Sequence, residues 1–358
     1  MAVLFDIRSE SRMYSVVSEP NVLSALAPSI RAGVVLADTY FAHRLFEIGI
    51  EAIPLEANES TKSLSRLEAV IERMREAGAT RDTQLWAVGG GAIQDVAGFV
   101  SSIYMRGISW IYIPTTLLGM ADSCIGGKSS INVGQHKNIV GSFHTPTAVL
   151  IDTTLTSTLT VEQKMSGLIE AAKICYCRGA DAFDEYLSLD PGSASTPDHF
   201  EPIVTLSLRS KKWFVETDEF DRAERLLLNL GHTFGHALES ASNFRLSHGM
   251  AVGVGILCAV ALSGELLTIS PRGSVARLVE HIRALLACLP NLANVLRAID
   301  PPSTLDRLKA DKKHQTEHYR FVTFDVSGRV HVVRLPKNTE THAKIANALC
   351  NTLELLSA

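Results

Sequence analysis

Short apolar runs alternate with helix-like stretches through the first part of the chain. Gly33-Val34-Val35-Leu36-Ala37-Asp38, Ala52-Ile53-Pro54-Leu55, Thr83-Gln84-Leu85-Trp86-Ala87-Val88, Ser109-Trp110-Ile111-Tyr112-Ile113-Pro114 and Val149-Leu150-Ile151-Asp152 have strand length and composition. Between them, 41–48 and 63–77 carry helical periodicity. Strands separated by helices predict an α/β domain with a mostly parallel sheet. After about Thr158 helix follows helix, at 161–177, 200–217, 223–241, 248–267 and 274–289, with a loop at 190–197. Residues 319–324 and 329–334, joined through Ser327-Gly328, predict an appended hairpin. The expected division is an α/β domain over 1–158 and a mainly α-helical domain over 159–358.

Composition narrows the function classes. Of 358 residues 46% are hydrophobic, enough for two cores, and the net charge of −4 argues against a dedicated nucleic-acid binder. Cys124, Cys175, Cys177, Cys258, Cys288 and Cys350 include no C-x-x-C pair, so they read as reduced core residues of a cytoplasmic protein. Asp6 and Arg8 bring charge too early for a signal peptide. The apolar run Met250 to Leu262 is too short to span a bilayer and reads as a buried core helix, so no membrane role is expected.

Three stretches carry chemistry. Val88-Gly89-Gly90-Gly91 joins a strand to a helix, where missing Cβ atoms let backbone approach a pyrophosphate at a helix N-terminus; a structural turn would look the same. It is not the G-x-G-x-x-G fingerprint. Asp38, at a strand end, suits either a ribose hydroxyl or a helix N-cap, and Thr115-Thr116 add hydroxyls at another strand end. From Tyr104 to His144, Arg106, Lys128, Lys137 and Asn138 form either a cradle for an anionic substrate or a solvated basic loop. Gly126-Gly127-Lys128 lacks the first glycine of a phosphate loop. Finally, His232 and His236 lie four residues apart on one helix face, with His248 following: a zinc half-site or a plain histidine pair.

Together these residues resemble the dehydroquinate synthase family, the sugar phosphate cyclases, from about Val34 to Phe324. The matching motifs are Gly89-Gly90-Gly91-x-x-x-Asp95-x-Ala97-Gly98-Phe99; Tyr104-Met105-Arg106-Gly107; Ile113-Pro114-Thr115-Thr116; Asp122-Ser123-x-x-Gly126-Gly127-Lys128; Lys137-Asn138; Glu170-x-x-Lys173; Arg225-x-x-x-Asn229-x-Gly231-His232-Thr233-x-Gly235-His236; His248-Gly249; and Asp311-Lys312-Lys313. The resemblance implies a Rossmann-like N-terminal domain, a helical C-terminal domain and an active site between them. It implies NAD held by Asp38, Glu59, Lys62, Gly90, Gly91, Asp95, Thr115, Thr116 and Thr158. It implies a divalent metal, zinc or cobalt, on Glu170, His232 and His248, which moves His236 from ligand to proton-transfer group. Lys173, Asp122 and Asn138 join His236 as catalytic residues, and Arg106, Lys128, Lys137, Lys211, Arg225, Asn229 and Lys312 bind substrate.

The implied reaction converts 3-deoxy-D-arabino-heptulosonate 7-phosphate to 3-dehydroquinate and phosphate. It proceeds by transient oxidation with NAD, phosphate elimination, reduction and an intramolecular aldol. Lys211 and Arg225 suit a substrate carboxylate. A homodimer is the assembly the family suggests. Met250 stands where the family usually has an acid, Gln94 where glycine is common, Leu168-Ile169 where small residues are usual, and Ser129-Ser130 replaces a commoner Thr-containing pair. The competing expectations are a secondary-metabolism cyclase of the amino-dehydroquinate or valiolone type, a metal-dependent polyol dehydrogenase, and a non-catalytic homologue that binds NAD and zinc.

Overall fold

Seven strands build the main sheet: β1 (Ala2–Arg8), β2 (Met13–Ser18), β3 (Val34–Asp38), β4 (Ile53–Leu55), β5 (Leu85–Gly89), β6 (Trp110–Pro114) and β9 (Ala148–Ile151). A computed structural model of the chain describes residues 2–10, 12–134, 136–268, 270, 272–310 and 316–357. Strand order is β1-β2-β9-β6-β5-β3-β4, parallel throughout except for the β1–β2 hairpin. Central strands covered on both faces read as unbroken apolar runs. Every residue of β5, Leu-Trp-Ala-Val-Gly, is buried, which explains why this strand shows no polar alternation.

The chain leaves β3 for β4 on one side and returns to pair β5 on the other. Connections diverge there, and ligands of open α/β sheets sit at the carboxyl ends of such strands. Asp38 ends β3 and Gly89 ends β5.

Two further ribbons complete the β structure. Lys128–Val133 (β7) pairs antiparallel with His136–Phe143 (β8), in the stretch where the sequence offers a cradle or a loop. His318–Phe324 (β10) and Val330–Pro336 (β11) form the expected hairpin.

The chain forms two compact units, Met1–Thr158 with Thr196–Phe220, and Leu159–Ser195 with Asp221–Ala358. The helix Pro197–Thr217 therefore belongs with the sheet rather than with the residues 159–358 that surround it in sequence. Its Ser207 Oγ donates to Ala121 O at 2.8 Å, a long-range tie with no local signature.

The second unit is built on the helices Val161–Arg178, His232–Ala241 and His248–Leu267. The last is 20 residues, long and apolar enough to cross a membrane by length and composition, so the run read as too short belongs to a longer helix. Yet 72% of its most apolar window is buried inside the protein, as a core helix requires. The single helix expected over 223–241 is broken. A 3-10 turn, Glu224–Asn229, precedes Gly231 at φ +78°, and the helix starts at His232.

None of the six cysteines forms a disulfide, and Cys288 is exposed rather than in the core. Burial pushes the Cys124, Cys177 and Cys258 thiols up to about 12, which keeps them unreactive.

Candidate active site

In the first unit a partly buried charge network connects residues assigned separately to cofactor and substrate. Lys62 Nζ lies 2.7 Å from Asp95 Oδ2 and 3.6 Å from Glu59 Oε1, and it donates to Asn138 Oδ1 at 3.2 Å. Ser130 donates to Asp95 through both N and Oγ, each at 3.0 Å. Asn132 Nδ2 donates to Glu59 Oε1 at 2.9 Å and its Oδ1 accepts from Asn138 N at 2.9 Å. Lys137 Nζ stands 3.7 Å from Glu59 Oε1. Burial alone would lower the Lys62 pKa, but the Asp95 and Glu59 carboxylates outweigh it and hold the ammonium above its ordinary value. Ser130 and Asn132 are the residues the sequence reading missed here. Both lie on β7, whose alternation was masked by its polar side chains.

The glycine turn starts the helix Gly91–Ile103, with Gly90 as N-cap. A Cβ on Gly90 would sit 2.9 Å from Thr116 Cγ2, whereas one on Gly91 would meet nothing within 4 Å. The turn is thus tight against Thr116 and open at the first helical residue, where N–H groups lack intrahelical partners. That is a fitting cradle for a pyrophosphate. Asp38 caps the helix Thr39–Glu47, its Oδ1 accepting from Tyr40 N at 2.8 Å. Thr116 Oγ1 accepts from Gly119 N, and Thr115 is buried. Thr158 is exposed at the end of a 3-10 turn. Gln94 is buried and reciprocally bonded to Ser123: Nε2 donates to the carbonyl at 2.7 Å and Oε1 accepts from Oγ at 2.6 Å.

Asp122 follows in a π-helical turn, and Lys211 Nζ lies 2.6 Å from both its Oδ1 and its carbonyl oxygen. Lys211 is therefore already engaged by a carboxylate of the chain. Lys128 is exposed, its Nζ 6.0 Å from the centre of the Phe143 ring. Arg106 is exposed and left-handed at φ +69°, beside Met105 at φ +47°.

In the second unit Glu170, His232, His236 and His248 come together. Ligand atoms of the three histidines all lie within 4.8 Å of one another. Glu170 is fully buried, its Oε2 ion-paired with Lys173 and its Oε1 without a hydrogen bond. That Oε1 faces His232 Nε2 at 3.8 Å and His248 Nε2 at 3.6 Å. The far sides of both rings are occupied. His232 Nδ1 lies 3.2 Å from Leu230 O, and His248 Nδ1 lies 3.3 Å from Glu239 Oε2. A carbonyl and a carboxylate can only accept, so each Nδ1 carries the proton, and in its neutral form each ring turns a lone pair toward Glu170. Three acceptors then converge on one point. Adjacent donors of a tetrahedral zinc lie about 3.4 Å apart, so the set fits a divalent cation. Burial lowers the His248 pKa, but the Glu239 hydrogen bond and the Glu170 charge raise it overall, as expected where anionic charge is in surplus.

Arg225 is buried in the 3-10 turn before the histidine helix, and Asn229 Nδ2 donates to Leu226 O at 3.0 Å. Lys312 lies outside the described residues. Met250, Leu168 and Ile169 are fully buried, so these departures are core residues.

The chain matches the 3-dehydroquinate synthase N-terminal domain over residues 52–166 and the 3-dehydroquinate synthase C-terminal domain over 167–314. It is 36% identical over 301 residues to the 3-dehydroquinate synthase of Xylella fastidiosa strain 9a5c, covering 80% of this chain and 73% of the relative. A similar solved fold is 2-deoxy-scyllo-inosose synthase complexed with carbaglucose-6-phosphate, NAD+ and Co2+, at a TM-score of 0.81 and 24% identity over 96% of this chain and 99% of that one. Another is 2-epi-5-epi-valiolone synthase from Streptomyces hygroscopicus subsp. jinggangensis 5008 with NAD+ and Zn2+ bound, at 0.79 and 23% over 97% and 99%. This chain belongs to the 3-dehydroquinate synthase family.

Proposed function

We propose that the protein converts 3-deoxy-D-arabino-heptulosonate 7-phosphate to 3-dehydroquinate and phosphate, using NAD and a divalent metal, zinc or cobalt. The observation that carries this reading is the unbonded Glu170 Oε1 facing two imidazoles whose other nitrogens are occupied. Glu170, His232 and His248 would hold the metal, and Gly90, Gly91 and the Lys62–Asp95 network would hold NAD. The chemistry these groups supply when bound is a reversible hydride acceptor and a Lewis acid at the carbinol oxygen.

The chain's own residues do the rest. Lys173 fixes the Glu170 carboxylate through their ion pair. His236 is close enough to the other imidazoles to hold a proton near the reacting oxygens. Arg225 offers a fork for the substrate carboxylate, and Lys128, Lys137, Asn138 and Arg106 offer cationic and amide contacts to its phosphate. A homodimer and a cytoplasmic location belong to the same proposal.

The Lys211–Asp122 pair favours a second reading, a cyclase acting on a sugar phosphate without a carboxylate, because it removes one expected carboxylate reader. Phosphate release from the heptulosonate phosphate and from a neutral-headed sugar phosphate, each with and without NAD, separates the two. The proposal expects NAD-dependent release from the carboxylated substrate without net NADH. Steady NADH accumulation would make the protein a polyol dehydrogenase instead.

A further inference from the structure

We propose that Glu239 is a positioning residue for His248, accepting the Nδ1 proton of that ring and so aiming its Nε2 lone pair at Glu170. This inference rests on the metal site proposed above. Glu239 lies on the helix His232–Ala241, seven residues after His232 and three after His236, so all three project from one face. Its Oε2 is 3.3 Å from His248 Nδ1, while His248 Nε2 is 3.6 Å from Glu170 Oε1. The two nitrogens point away from each other across the ring. Glu239 therefore stands behind the imidazole and Glu170 in front of it.

His248 needs such a partner. It is the first residue of its helix and its side chain is 38% exposed, so packing alone leaves the ring free to turn. His232 has the carbonyl of Leu230 for the same purpose. Glu239 itself is 17% exposed, which keeps the bond largely out of water. A carboxylate behind a ligating imidazole fixes the tautomer and makes Nε2 a stronger donor.

The test compares wild type, Glu239→Ala, Glu239→Gln and His248→Ala. Each is titrated with Zn2+ against a chromophoric chelator, loaded with Co2+ for its visible spectrum, and melted thermally. Glu239→Ala is expected to weaken zinc about 10- to 100-fold and to change the cobalt spectrum. Glu239→Gln, whose amide oxygen still accepts from Nδ1, should recover most of the affinity and the wild-type spectrum. A merely structural role would lower the melting temperature and leave the zinc affinity and spectrum alone. Wild-type affinity and spectrum in Glu239→Ala, with zinc lost in His248→Ala, would overturn the role of Glu239 and leave the metal site standing. A wild-type protein that takes up neither metal would overturn both.

Discussion

Gly249 presses on Ser166 so closely that a Cβ would lie 2.5 Å from Ser166 Cα and 2.5 Å from its carbonyl oxygen. Ser166 is one helical turn before Glu170, and Gly249 directly follows His248. The contact of these two backbones is what brings the imidazole beside the carboxylate. The His-Gly pair thus joins the proposed ligand to the residue that lets its helix approach.

Gly249→Ala should consequently act on both stability and metal. The obstructing atoms are backbone and cannot swing aside, so overpacking should cost about 1–3 kcal/mol. Zinc content should fall as well, because relief requires the two helices to part. Denaturant melts with elemental analysis check this. A destabilised variant with full zinc would separate the helix contact from the ligand geometry.

Lys62→Met should destabilise the first unit by roughly 3 kcal/mol, because it leaves the largely, though not fully, buried Asp95 carboxylate without its cation. Adding Asp95→Asn should recover much of that loss, since the uncompensated charge is then gone. Urea melts of the two singles and the double give the coupling. NAD affinity, read by fluorescence titration, should drop in all three variants. A single variant as stable as wild type would mean that Ser130 alone satisfies Asp95.

The sequence made the histidines legible because residue type and spacing declare them, and the alternating strand and helix signals made the parallel sheet legible. Glu170 was different. A lone carboxylate in a helix gives no local sign of being buried, and only the family resemblance picked it out. Glu239 carried a readable signal, an acid on the His232–His236 face, that was not used. Ribbon β7–β8 was hidden by its polar side chains. Lys128, Ser130, Asn132 and Asn138 break the apolar alternation that marks a strand, although Ser129 and Ile131 point inward as a strand requires. The return of the helix Pro197–Thr217 to the first unit depends on long-range bonds such as Lys211 to Asp122, which no local pattern encodes.

Arg225→Gln should discriminate substrates. The side chain is buried, so a charge-assisted contact to a carboxylate there is worth about 2–4 kcal/mol, or roughly 30- to 1000-fold in kcat/KM. The loss should appear with the carboxylated substrate and nearly vanish with its decarboxylated analogue. Arg225→Lys should also be impaired, since an ammonium cannot copy the fork. Equal losses on both substrates would assign Arg225 to the fold or the phosphate, and would favour the neutral-headed reading.

His281 predicts an acid-sensitive contribution to stability. Its Nε2 lies 3.0 Å from Tyr186 Oη, which donates its own proton to Leu168 O at 3.0 Å, so the imidazole Nε2–H must be the donor to Tyr186. Burial lowers the His281 pKa from 6.5 to about 4. The unfolded chain then binds the proton more readily than the folded one between those values. The neutral histidine's contribution is fully present above 6.5 and is lost as pH falls toward 4. His281→Gln keeps a donor for Tyr186 and does not titrate. The difference in Tm between wild type and His281→Gln should therefore shift in favour of the variant as the buffer goes from about pH 7 to about pH 4. A difference that stays constant across that range would show that His281 is as easily protonated in the folded chain as in the unfolded one.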